Sequence, residues 1–146
     1  MRYISTRGGS PSVSFLDALL TGLAPDGGLY VPKEWPRIEP ARFGEPYAEV
    51  AARIISAFAG DAIPEADVQK ICRDAYASFA HQSVAPLTQW GPDSWLMELH
   101  HGPTLAFKDV ALQLLGRLFE TFLERRGERL TIVGATSGDT GSAAIQ

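Results

Sequence analysis

Three lysines stand among ten arginines in this chain, and Lys108 is out of keeping with its surroundings. It follows Leu105-Ala106-Phe107 and precedes Val110-Ala111-Leu112, where a hydrophobic helix opens, whereas Lys33 and Lys70 lie among polar neighbours. The partial positive charge of a helix N-terminus and desolvation by apolar walls both favour a neutral, nucleophilic amine there. Arginine does not deprotonate usefully and could not take this part. Two readings are open. Lys108 is a Schiff-base lysine that condenses with a carbonyl compound, or it is a helix-end lysine whose stem packs while its head stays wet. Asp109 beside it reads as an acid in the first turn, favourable to any helix.

A second stretch able to do chemistry is "TSGDTG", Thr136 to Gly141, between an apolar run and a small-residue helix start. Successive backbone N–H groups at such a turn can hold a phosphate or carboxylate, and the absent Cβ at Gly138 and Gly141 lets a ligand approach. Serine and aspartate are also ordinary helix caps, and glycine is an ordinary turn residue. The stretch lacks the lysine of a P-loop and the spacing of a dinucleotide fingerprint, which argues against a nucleotide.

His100 and His101 are adjacent, and adjacent side chains point apart in an extended chain. No cysteine or carboxylate falls at ligand spacing, so no metal site is expected and the pair is read as structural or positioning. His81 and Cys72 take packing or surface roles. A single cysteine forms no internal disulfide.

The elements that must position these groups are legible in outline. Ser12 to Leu23 carries leucines at helical spacing and ends in the turn "PDGG", after which "LYVP" runs briefly extended. Pro46 to Ala59 is a second helix. A third comes next, with Asp61 as its cap and Pro64 near its first turn, and it carries Val68, Ile71, Cys72, Ala75 and Phe79. The segment up to about residue 80 is therefore mainly helical. Leu87 to Trp90 and Trp95 to Leu99 form two short strands around "GPDS". Ala106 to Arg126 is the clearest helix, with Val110, Leu114, Leu115, Leu118, Phe122 and Leu123 on one face and Gly127 just beyond. "RLTIVGA", Arg129 to Ala135, reads as a buried strand, and the strand–helix–strand–helix order predicts an α/β unit with parallel strands.

A net charge of −4, with no basic run longer than Arg125-Arg126, lacks the footprint of a nucleic-acid binder. No window approaches the roughly 20 apolar residues of a membrane span. The first residues carry no apolar signal core, and the cytoplasm is the expected compartment. The final helix has barely begun at Gln146, so the sequence reads as the front of a longer protein with an unpaired strand edge near Leu130 to Val133.

Four motifs in order, "YISTRGG" (Tyr3 to Gly9), "GLAPDGGLYVP" (Gly22 to Pro32), "ELHHGPTLAFKD" (Glu98 to Asp109) and "GATSGDTGSAAI" (Gly134 to Ile145), closely resemble threonine synthases, pyridoxal-phosphate enzymes of fold type II. The resemblance spans Tyr3 to Ile145. It implies a mainly helical amino-terminal domain over 1–83 and, over 84–146, the first part of a parallel-sheet α/β domain for pyridoxal 5'-phosphate. Lys108 is then the lysine that holds this cofactor and carries protons. The implied reaction converts O-phospho-L-homoserine and water to L-threonine and phosphate. Ser137, Gly138, Asp139, Thr140 and Gly141 match the loop that grips the substrate carboxylate in related folds. Asp139 stands where related dehydratases usually have asparagine. Asp109 and Val110 come after the lysine where dehydratases tend to have arginine and glycine, which favours the synthase. The loop for the cofactor phosphate belongs, in this family, to sequence beyond Gln146, and the chain alone is expected to be inactive. A threonine or serine dehydratase-like lyase and a non-catalytic assembly module remain as alternatives, and the oligomeric state is open.

Overall fold

The computed structural model describes residues 1–146. They form two compact units, one of Met1–Glu45 with Glu49–Lys70 and one of Pro46–Ala48 with Ile71–Gln146.

The first unit is built on a three-stranded antiparallel sheet in the order β2-β1-β3, comprising β1 (Arg2–Ser5), β2 (Val13–Ser14) and β3 (Tyr30–Pro32). β1 alternates as a half-buried strand should, with Tyr3 and Ser5 inward and Arg2 and Ile4 outward. The Tyr3 hydroxyl donates to the carbonyl of Phe58 at 2.7 Å. The helix expected over Ser12 to Leu23 is shorter. Val13 and Ser14 pair with β1, and α1 covers Phe15–Thr21. Ser14 is its N-cap, accepting from the Asp17 N–H at 3.2 Å. Gly22, at φ +72°, ends it. α2 (Tyr47–Ala59) and α3 (Glu65–Tyr76) lie close to the predicted bounds. Asp61 does not cap α3. It sits in a 3-10 turn (Gly60–Ala62), and the Pro64 carbonyl instead accepts the N–H groups of Asp67 and Val68. Ala59, Ile63 and Val68 are buried.

In the second unit, Ile71, Cys72 and Ala75 from the end of α3 are buried. Tyr76 packs edge-on against Tyr47 at 4.8 Å and donates to the Val110 carbonyl at 3.2 Å. The expected hairpin forms as β4 (Leu87–Gly91) and β5 (Ser94–Met97), with Leu87 opposite Met97. α4 (Asp109–Arg126) buries Leu114, Leu118 and Phe122, four residues apart on one face. It ends at Gly127 in the left-handed conformation, where Glu128 donates back to the Leu123 carbonyl at 3.0 Å. α5 (Asp139–Ile145) packs on α4 through the buried Ala143.

Arg129–Ala135 is not a strand, and no strands pair in parallel. Ile132 is 71% and Val133 91% exposed. A β-strand exists through the N–H and C=O groups of its neighbours, and no segment of this chain comes alongside. The apolar run is present, but its ladder is missing. No helix is long and apolar enough to cross a membrane.

Candidate functional site

Lys108 occupies the last position before α4, with φ −66° and ψ −21°, and Asp109 begins the helix. The Asp109 side chain is fully buried. One of its oxygens accepts the backbone N–H of Thr104 at 2.8 Å, and the other accepts the Thr104 hydroxyl at 2.7 Å. A Cβ at Gly102 would overlap the Asp109 side chain, so glycine lets the loop close over the carboxylate. Leu105 takes φ +62°, an uncommon conformation for a branched side chain, at the point where the chain turns back toward the helix. Reading Asp109 only as a first-turn acid therefore missed its main work, which is to pin Gly102–Thr104 against the residue after Lys108. The signal available was the glycine and threonine close before an acid at a helix start.

The surroundings of Lys108 differ from the apolar walls expected. Leu105 is 70% and Phe107 59% exposed, so these neighbours face solvent. The Lys108 side chain is half-buried, and its Nζ lies 4.4 Å from the Phe107 ring centroid, a cation–π arrangement. It makes no ion pair.

In Thr136–Gly141 the organising group is the hydroxyl of Thr136, a residue not singled out from the sequence. It accepts the N–H of Gly138 at 3.2 Å and of Gly141 at 3.0 Å. Two of the amides expected to meet a carboxylate are thus already satisfied, while those of Ser137, Asp139 and Thr140 have no acceptor within the chain. Gly138, at φ +131°, takes a backbone conformation that favours glycine. Thr136 to Asp139 is exposed, and no hydrogen bond or ion pair joins this loop to Lys108.

The two histidines do not point apart. Their rings lie 4.5 Å apart with planes at 30°. His101 Nε2 is 2.7 Å and His100 Nε2 4.0 Å from Glu98 Oε2. The carboxylate judged missing from the sequence is therefore present, two and three residues earlier. Hydrogen bonds from Thr88 and then His101 hold the Glu98 carboxyl below its usual range.

In the first unit, Asp26 ties the two amino-terminal motifs together. One oxygen accepts from the Ser5 hydroxyl at 2.7 Å and the Gly28 N–H at 2.9 Å, and the other accepts the Gly9 N–H at 2.8 Å. Arg7 returns the contact by donating to the Asp26 carbonyl at 3.2 Å.

The family described as "Threonine synthase N terminus" matches residues 2–76. The threonine synthase of Pseudomonas aeruginosa is 57% identical over 150 residues, covering 100% of this chain and 32% of that protein. The solved structure of a PLP-bound threonine synthase from Brucella melitensis superposes with a TM-score of 0.94 at 53% identity, over 99% of this chain and 32% of that one. Yeast threonine synthase does so with a TM-score of 0.87 at 42% identity, again over 99% and 32%. This chain thus spans about a third of the length of the relatives it matches, and it belongs to the threonine synthase family.

Proposed function

We propose that this chain forms the lysine-bearing front portion of an enzyme that converts O-phospho-L-homoserine and water to L-threonine and phosphate with pyridoxal 5'-phosphate. The supporting observation is the placing of Lys108: a part-exposed amine without an ion pair, on backbone anchored by the buried Asp109–Thr104 contact. Such an amine suits condensation with the cofactor's aldehyde. When bound, the cofactor supplies an electron sink for carbanion chemistry. The work of the chain is positional and protonic. Lys108 Nζ would hold the cofactor and is the group that would accept and return a proton. Ser137, Gly138, Asp139, Thr140 and Gly141 hold the substrate carboxylate, Ser137 and Thr140 through their hydroxyls and the glycines by leaving room for it. Asp139 contributes its N–H, which has no acceptor within the chain.

The experiment is chemical. Treating the chain with pyridoxal phosphate, reducing with borohydride and mapping by mass spectrometry should place the label mainly on Lys108, with a weak, non-saturating titration and no threonine formed. Equal labelling of Lys33 and Lys70 would remove the support. In the enzyme carrying this segment, Lys108→Ala should abolish threonine formation from O-phospho-L-homoserine, whereas turnover of threonine in place of that substrate would indicate a dehydratase.

A further inference from the structure

We propose that Glu98, His100 and His101 form a binding site for a divalent cation of the zinc class. One donor atom from each of the three lies within 4.8 Å of the others. A tetrahedral shell with bonds of about 2.0–2.2 Å sets ligand atoms about 3.4 Å apart. The separations, 2.7 Å between Glu98 Oε2 and His101 Nε2 and 4.0 Å between Glu98 Oε2 and His100 Nε2, straddle that value, and side-chain rotations within the 4.8 Å cluster would close the shell.

The site is supported from behind. The Thr88 hydroxyl donates to Glu98 Oε1 at 2.6 Å and leaves Oε2 for the cation, as an outer-shell partner orients a ligating carboxylate. The Glu98 N–H donates to the Pro86 carbonyl at 2.9 Å and the Ala80 N–H to the His101 carbonyl at 2.8 Å, which pins the backbone at both ends of the ligand run. His81 flanks His101 at 5.1 Å between ring centroids. The side chains of Glu98 and His101 are 23% and 19% exposed, that of His100 63%, so the held ligands are sheltered and the remaining positions open to water.

Two imidazoles and one carboxylate suit a borderline cation such as Zn²⁺, Co²⁺ or Ni²⁺, and not Mg²⁺ or Ca²⁺, which take oxygen shells. The site requires neither Lys108 nor a cofactor.

Titration of the untagged, metal-free chain with Zn²⁺ against a chromophoric chelator tests it. One equivalent should bind, and His100→Ala and Glu98→Gln should each weaken binding by at least about tenfold, in the range seen for lost metal-site partners. His100 is exposed, so its replacement keeps the fold, which circular dichroism verifies. His81→Ala should bind within a few-fold of wild type, and Co²⁺ should give visible ligand-field bands that Zn²⁺ bleaches. Affinity unchanged in His100→Ala, or weakened as much in His81→Ala, would overturn the assignment, as would displacement by Mg²⁺.

Discussion

Asp109 and Thr104 are bonded twice, the carboxylate accepting the threonine's amide at 2.8 Å and its hydroxyl at 2.7 Å, with the whole aspartate side chain out of solvent. The pair closes Thr104 to Asp109 into a loop that contains Lys108. Thr104→Val keeps the shape and removes one charge-assisted bond, leaving a buried oxygen without its donor. Denaturant unfolding should show a loss of about 1.5–3 kcal/mol. Thr104→Ser should restore most of it. A wild-type midpoint in Thr104→Val would mean that the hydroxyl contributes nothing.

Burial pushes the Cys72 thiol up to about 11, and the side chain has no solvent exposure. The thiolate is the reactive form, so the native protein at pH 8 should resist Ellman's reagent. Labelling is expected on the order of 100-fold slower than in denaturant, with a rate set by opening of the structure. Stoichiometric labelling within the mixing time would contradict this environment.

Donors around Asp26, the Ser5 hydroxyl first and the Gly28 amide next, hold its carboxyl below the ordinary 3.8. A depressed native value means that the stabilisation is complete above the unfolded-state pKa and disappears as pH falls through the native one. Glu45 and Glu98 are lowered too, so acid weakens any variant. The Asp26-specific part is the difference between wild type and Asp26→Asn. In thermal melts that difference should be constant above about pH 5, shrink below it and vanish in strong acid. A gap that does not shrink as the pH falls would assign the effect to packing.

Amide exchange should separate α4 from the segment after it. Leu118 and Phe122 lie on the buried face and should be among the slowest residues of their unit. Leu130 to Ala135, which lacks ladder partners, should exchange within about tenfold of the intrinsic rate. Strong protection there would reveal a pairing that the fold of this chain does not contain.

How much of the molecule was legible from sequence varied with the range of the forces involved. α4 was plain because its apolar positions repeat along one face for five turns and end at Gly127, all of it local information. The sheet around β1 was overlooked: Arg2–Ser5 is only four residues, and what makes it a strand is its pairing with Val13 and with Tyr30–Pro32. The opposite error arose at Arg129–Ala135, whose composition suits a strand but whose partners are absent. Lys108 stood out by type and setting. Its anchor, Thr104, did not, since a buried hydrogen bond between positions 104 and 109 depends on the turn at Leu105. The same holds for His100 and His101, whose rings are brought together by a backbone path that residue types do not encode.

The hairpin of β4 and β5 holds two of the three tryptophans, and like Trp35 they are largely bare: Trp90 is 79%, Trp95 59% and Trp35 74% exposed. Indoles already surrounded by water have little further to travel when the chain unfolds. Intrinsic emission is therefore a poor thermometer for this molecule. It is well suited to reporting any surface that comes to rest on the hairpin, because a blue shift can arise there without a change in fold.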